Sequence, residues 1–342
     1  MMRLVILAPN WLGDAVMALP AIADVRRSAP DATIVVAARP AIAPLFALVP
    51  GVNDTIELDR APSSRGMWAW RALGSELAAG RFDSALVLPN SVHAALVASR
   101  AGIPERWGYR TDWRGALLTR AIHPPSGLHQ GEYYQQLVRA LGFPNGPVDP
   151  RVTVPPAARE AARMLLAESG WNGTAPLVAL APGAAYGGAK RWPTRYFGEL
   201  AQTLVADGVQ CVIIGAAADR ETAAEVERWP EGSRSRSSIL NLVGKTDLSM
   251  LAGVLSLCRA LVTNDSGAMH LAAAIGINVT AIFGPTDEEA TYPRTSSHEQ
   301  QVTVLTHSVW CRPCMLRECP LDHRCLRGIP VSEALAATRQ AL

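Results

Sequence analysis

Lysine is almost missing from this sequence. Of 32 basic residues only Lys190 and Lys245 are lysines and the remaining 30 are arginines. Genome composition accounts for such a bias better than physics does. It still makes both lysines places to look, because lysine presents a compact point charge where arginine presents a planar fork. An excess of charge is missing too. The formal net charge is +2, whereas a general nucleic-acid binder carries a strong basic excess, so nucleic acid is not expected as a partner. No run reaches the ~18 apolar residues needed to span a bilayer. The longest candidate, 268–283, contains His270 and Asn278 and reads as a buried helix followed by a strand. The apolar start, Leu4–Ala8, is too short for a signal peptide and is interrupted by Pro9, Asn10 and Asp14, which predicts a soluble chain with the cytoplasm as its default location. Two nucleotide fingerprints are absent as well. Neither G-x-G-x-x-G nor G-x-x-x-x-G-K-[ST] occurs, which weighs against a nicotinamide dehydrogenase and a P-loop enzyme.

What is present is enough apolar sequence for two cores: 342 residues, 49% hydrophobic and 18% charged, which suits a pair of α/β domains. Short apolar runs alternate with longer helical patterns, as in a parallel sheet covered on both faces. The first series of strands reads Leu4–Ala8, Thr33–Ala37, Thr55–Leu58 and Ser84–Leu88, with helices over Asp14–Ser28 and Trp68–Ala79. The second reads Leu177–Ala181, Gln210–Ile214, Ile239–Leu242, Ala260–Thr263 and Val279–Phe283. Helices are expected there near Thr194–Ala206, Arg220–Trp229, Leu248–Leu257 and Gly267–Ile275. A proline-rich passage, Pro144 to Pro156, and a helix from Ala157 to Ser169 lie between the series. The division expected is therefore 1–160 for one doubly wound domain, 170–330 for the other and 331–342 for a terminal helix, with the two domains facing each other across a cleft.

Three turns carry polar chemistry at strand ends, where open parallel sheets bind ligands. The turn after the first strand, Pro9 to Val16, contains Gly13, which lets a ligand approach the backbone, and Asp14. The aspartate either caps the following helix or presents a carboxylate to a ligand, and spacing does not choose between these. After Leu177–Ala181 comes a glycine-rich loop ending in Lys190-Arg191-Trp192-Pro193, of the kind that brings N–H groups and a cation to phosphates. After Ala260–Thr263 come Asn264-Asp265-Ser266-Gly267 and, one turn on, His270, at the start of a strongly apolar helix whose N-terminus is suited to an anion. Asp265 or Ser266 as a plain cap, with His270 merely buried, is the bland alternative.

Taken together, the Gly13-Asp14 turn, the Lys190–Pro193 segment, Asp265-Ser266-Gly267 with His270, and Phe283-Gly284-Pro285-Thr286 resemble the lipopolysaccharide heptosyltransferase family over essentially the whole chain. Trp310-Cys311-Arg312-Pro313-Cys314 through Cys319-Pro320 favours the branch that adds the second heptose. The resemblance implies a GT-B fold of two Rossmann-like domains. It also implies an inverting transfer from ADP-L-glycero-β-D-manno-heptose onto the first heptose of the lipid A-linked inner core (heptosyl-Kdo2-lipid A), with no metal or other cofactor required. On the same grounds Asp14 resembles the general base and Lys190 the cation on the donor diphosphate. Asp265 resembles a heptose ligand, and Ser266, Gly267 and His270 the diphosphate-binding turn. Thr246 falls where the family's backbone meets the adenine, and Glu221 is the candidate for the ribose. The physics is compatible: a diphosphate leaving group needs positive potential where charge develops, and Lys190 with a helix N-terminus supplies it. An inverting reaction needs one base, so Asp14 alone suffices.

The acceptor that the resemblance implies is an anionic glycolipid, and residues 1–170 hold 17 arginines against 14 acidic residues, so the first domain is expected to meet it. Two Arg/Trp clusters are candidates for contact with the acceptor or the inner leaflet of the membrane: Arg60, Arg65, Trp68, Trp70 and Arg71, and Arg106, Tyr109, Arg110, Trp113 and Arg114. Arg60, Arg110 and Arg114, with Gly13, are the acceptor-binding candidates. Cys211 and Cys258 read as buried small apolar residues. Cys311, Cys314, Cys319 and Cys325, with His307 and His323 nearby, offer enough ligands for a small structural zinc or iron–sulfur site, although the spacing matches no standard zinc ribbon. Metal-free structural thiols are the alternative. The rival functions are another nucleotide-sugar transferase, an epimerase of the same fold, and a nucleotide-sugar-binding protein without catalysis.

Overall fold

A computed structural model describes residues 2–58, 74–229, 239–295 and 299–342. Arg60, Arg65, Trp68, Trp70 and Arg71 lie outside these residues. The chain divides into two compact units, Met1–Thr153 and Val154–Leu342.

In the first unit the order is β1 (Arg3–Leu7), α1 (Leu12–Met17), α2 (Leu19–Ser28), β2 (Thr33–Ala38), α3 (Ala43–Phe46), β3 (Asp54–Glu57), α4 (74–79), β4 (Ser84–Val87), α5 (Val92–Arg100), β5 (Glu105–Tyr109), β6 (Arg120–Ile122) and α6 (Gln130–Ala140). The strands form one parallel six-stranded sheet in the order β3-β2-β1-β4-β5-β6. The second unit runs α7 (Pro156–Glu168), β7 (Leu177–Ala181), α8 (Thr194–Ala206), β8 (Gln210–Ile213), α9 (Arg220–Arg228), β9 (Ile239–Asn241), α10 (Leu248–Leu255), β10 (Ala260–Asn264), α11 (Gly267–Ile275), β11 (Asn278–Ile282), α12 (Glu288–Thr291), β12 (Val302–Leu305), α13 (Arg324–Arg327) and α14 (Val331–Gln340). Its parallel sheet has the order β12-β11-β10-β7-β8-β9.

Both orders are that of the doubly wound nucleotide-binding fold, in which connections run outward from the middle in both directions. The central strands show why. In β7 and β10 every residue is buried, and in β1 only Arg3 is exposed, the pattern of strands covered by helices on both faces. Each sheet thus has a switch point, between β1 and β4 in one and between β7 and β10 in the other.

Three expectations need correction. The single helix expected over Asp14–Ser28 is two, meeting at Ala18. Pro20 sits in the first turn of α2, where its missing N–H is tolerated but where it could not continue a helix begun at Leu12. The helix between the domains belongs to the second unit. Gly253 of α10 is so close to α7 that a Cβ there would lie 2.5 Å from the Ala158 carbonyl oxygen. The terminal helix is no separate element either. α14 buries Ala334, Ala337 and Thr338, Asn278 donates to the Ala341 carbonyl at 2.7 Å, and Arg339 pairs with Asp207 at 2.8 Å.

Candidate active site

In the first unit the chain leaves β1 at Leu7 and turns into α1 at Trp11, the N-cap, whose side chain makes no capping bond. Asp14 is therefore not the cap. It is the third residue of the helix, half-buried, with its carboxylate at the positive end of the helix dipole. Gly13 is the second helical residue and forms no turn. The Tyr134 phenol of α6 is raised well above its ordinary pKa, mainly by burial and next by the negative charge of Asp14. Beside this turn, at the carboxyl ends of β1, β2 and β4, a pocket is lined by Asn10, Arg39, Ser91 and His93 among apolar neighbours. Arg39 and His93 were missed from sequence. Arg39 immediately follows β2, so the strand-end rule applied to the second strand would have found it.

The second Arg/Trp cluster separates by burial. Arg114 is wholly buried and cannot meet an acceptor at the surface. Its Nε donates to the Tyr109 carbonyl at 2.8 Å and its Nη1 to the carbonyls of Pro89 and Ser91. Nη2 has no partner among the described residues, and burial pushes the guanidinium down to about 10. Tyr109 is buried too, donating to the Tyr133 carbonyl at 2.6 Å, and Arg106 holds the carbonyls of Leu117 and Pro104. Arg110 and Trp113 remain exposed. Trp113 is fully exposed although its neighbours are tied down: Asp112 accepts from the Val92 N–H at 2.7 Å and Thr111 donates to the Asn90 carbonyl at 2.9 Å. Asp112 and Trp113 both adopt positive φ, 48° and 56°, a conformation that L residues hold at a cost.

In the second unit the switch point gathers the polar turns. The loop after β7 swings back so that Trp192 N–H donates to Asn264 Oδ1 at 2.9 Å, while the Asn264 amide donates to the Pro182 carbonyl at 2.7 Å. The buried Asn264 at the end of β10 thus locks that loop, and it brings Lys190 Nζ against Asp265 Oδ2. The pair is 12% and 7% exposed. Thr286, from the turn after β11, donates to the same carboxylate oxygen at 2.6 Å. Lys190 also lies over the Tyr186 ring, 4.7 Å from its centroid. Ser266 is the N-cap of α11, yet its hydroxyl lies 3.0 Å from Thr263 Oγ1 and makes no capping bond. Gly267 opens α11 and His270 is buried in its second turn.

The remaining candidates lie at neighbouring strand ends. Thr246 is half-buried after β9. Its loop is tied to the β8 loop by the Gly244 N–H donating to the Gly215 carbonyl at 3.0 Å. Glu221 stands exposed in the first turn of α9. Asp219, two residues earlier, lies against the glycine-rich loop, so close that a Cβ at Gly183 would meet it at 2.3 Å. Asn264 and Thr286 lie in the strings singled out above but were given no role, because their contacts are with the loop and with Asp265 and are not visible in spacing; Asp219 was not among the candidates. Among the described residues no group of three or more His, Cys, Asp or Glu is arranged to hold a metal ion. The four clustered cysteines are free thiols. Cys325 is turned into the hydrophobic core beside Leu326 and Ile329, where burial raises its pKa.

Two units of this topology, the second with a lysine, a carboxylate and an uncapped helix start at its switch point, define a glycosyltransferase of the GT-B type. The chain belongs to glycosyltransferase family 9 (heptosyltransferase), whose model matches residues 70–324. It is 33% identical to lipopolysaccharide heptosyltransferase 2 of Salmonella typhimurium, covering 89% of this chain and 88% of that one. It is 31% identical to lipooligosaccharide heptosyltransferase 2 of Haemophilus influenzae, over 85% and 86%. Among solved structures, the E. coli ADP-heptose lps heptosyltransferase II superposes with a TM-score of 0.83 at 28% identity, covering 99% of this chain and 98% of that one.

Proposed function

We propose that this enzyme transfers L-glycero-D-manno-heptose from ADP-heptose onto the first heptose of the lipid A-linked inner core, with inversion and without a metal ion. The observation that carries the donor side is the Lys190–Asp265–Thr286 cluster beside the start of α11. Lys190 neutralises the diphosphate as the sugar–phosphate bond breaks, and the N–H groups at the start of α11 add to the positive potential. Asp265 accepts from the heptose hydroxyls. The Thr246 and Asp219 loops receive the nucleoside, with the ribose assigned to Asp219 in place of Glu221. On the acceptor side Asp14 removes the proton as the hydroxyl oxygen bonds to the anomeric carbon. ADP departs with the bonding pair, and a β-linked donor gives an α-linked product.

The names of the relatives agree with this donor and acceptor. Arg110 and Trp113 are the described residues assigned to the glycolipid or to the inner leaflet, since Trp and Arg together suit a membrane interface. No helix among the described residues is long and apolar enough to cross a membrane; the attachment proposed is peripheral, through these exposed side chains. Two measurements test the reading. With EDTA present, the product should carry one added α-linked heptose; a β linkage, or activity that only a divalent ion restores, overturns it. Trp113→Ser with Arg110→Ser should weaken sedimentation with anionic vesicles at low salt, and unchanged binding would remove the membrane role.

A further inference from the structure

The segment 310–319, which carries three of the clustered cysteines, has no place in the mechanism above, yet it touches the loop that carries Lys190 and the turn that carries Thr286, Asp265's other partner. Toward the turn after β11, Arg312 is 11% exposed. Its Nε donates to the Gly284 carbonyl at 2.6 Å and its Nη2 to the Thr286 carbonyl at 3.2 Å, while Glu288 accepts from Nη2 at 2.7 Å. The N–H groups of Cys314 and Met315 both donate to the Pro285 carbonyl, at 3.0 and 2.9 Å. All three carbonyls of the 284–286 turn are thus held by one strap, and that turn delivers the Thr286 hydroxyl to Asp265.

Toward the loop after β7 the same strap makes a second set of bonds. The Tyr186 hydroxyl donates to the Met315 carbonyl at 2.7 Å, the Ala189 N–H donates to the Arg317 carbonyl at 2.9 Å, and the Gly188 N–H donates to Glu318 Oε1 at 3.0 Å. The approach requires glycine at 187: φ there is +154°, and a Cβ would stand 2.3 Å from the Arg317 carbonyl oxygen. Two residues later the chain reaches Lys190's neighbour, Ala189, so the lysine is presented from a turn clamped on its outer side. Arg317 also lies over the Tyr186 ring, as Lys190 does.

We propose that the strap is the positioning element of the donor site, with Arg312 and Glu318 as its positioning residues: Arg312 sets Thr286 and Asp265, and Glu318 sets the turn that presents Lys190. Arg312 cannot be replaced by lysine, because only a fork reaches two carbonyls and a carboxylate at once. Glutamine at 318 keeps an oxygen acceptor for the Gly188 N–H. That this site takes a nucleotide sugar rests on the proposed function; that the strap sets the lysine does not.

The test exploits the scarcity of lysine. Competitive acetylation of the folded enzyme, read by mass spectrometry, compares Lys190 with Lys245, whose Nζ donates to the Asn241 carbonyl outside the strap. Arg312→Met and Glu318→Ala should each raise the Lys190-to-Lys245 labelling ratio several-fold, while Glu318→Gln leaves it near wild type. General loosening would raise both lysines and leave the ratio unchanged, which would overturn the proposal. With ADP-heptose as donor, the same two variants should raise the donor KM by roughly tenfold or more while the acceptor KM stays put; equal loss on both substrates would also overturn it. Glu318 is exposed, so Glu318→Ala keeps the test open should Arg312→Met fail to fold. A wild type that neither binds nor uses ADP-heptose would sink the proposed function and leave the labelling result to judge the strap.

Discussion

The proposed function gives Asp14 and Lys190 different work, and single substitutions should separate them. Asp14→Asn keeps the shape and removes the base, so kcat should fall by roughly 10²–10⁴-fold with ADP-heptose affinity unchanged by calorimetry; a parallel loss of affinity would place Asp14 on the donor instead. Lys190→Met leaves Asp265 buried with Thr286 as its one remaining hydrogen-bond donor in this cluster. Removing one partner of a buried pair typically costs ~3–5 kcal/mol, and adding Asp265→Asn should recover part of that loss in urea unfolding. Strictly additive losses would show that the pair is not coupled. At this scale the motifs were readable where a residue sits in a distinctive string, directly after a strand as Asp265 does or in a glycine-rich loop beyond one as Lys190 does. Arg114 was misplaced because one-dimensional spacing does not say which of several nearby arginines turns inward. Arg110, four residues earlier and a candidate beside it, stays exposed.

At the scale of elements, the buried central strands were plain from their unbroken apolar runs, whereas β5, β6 and β12 were not read. β5 is Glu-Arg-Trp-Gly-Tyr and β6 only three residues long, so both lack the apolar signature and exist because a neighbouring strand supplies the ladder. The break between α1 and α2 was visible in Pro20 and was not used. Packing at this scale predicts a stability effect away from the chemistry. Gly253→Ala drives a methyl into the Ala158 carbonyl across the α7–α10 contact, so it should cost about 1–3 kcal/mol in thermal unfolding while leaving the donor KM of the folded enzyme unaltered. Thiol chemistry should follow burial in the same way. Burial pushes the Cys211 thiol up to about 12 and raises that of Cys258 further. Both should resist alkylation in the native enzyme at pH 8 and react only on unfolding, while Cys311, Cys314 and Cys319 react at once. Prompt labelling of Cys211 would contradict the buried β8 assignment.

For the whole molecule, the proposed function assigns different halves of the chemistry to two sheets of the same strand order, and ligands should report on them separately. ADP alone should slow amide exchange in the second unit, around 182–193, 264–270 and 284–286, and leave β1 to β6 unchanged. Protection centred on residues 9–16 would reverse the donor and acceptor assignments. The most direct measurement of the central claim is ADP release from ADP-heptose, with and without heptosyl-Kdo2-lipid A, with acceptor mass followed in parallel. ADP release that depends on the acceptor, matched by a gain of one heptose, is the predicted result. Release that is indifferent to the acceptor, with no change in its mass, would contradict it.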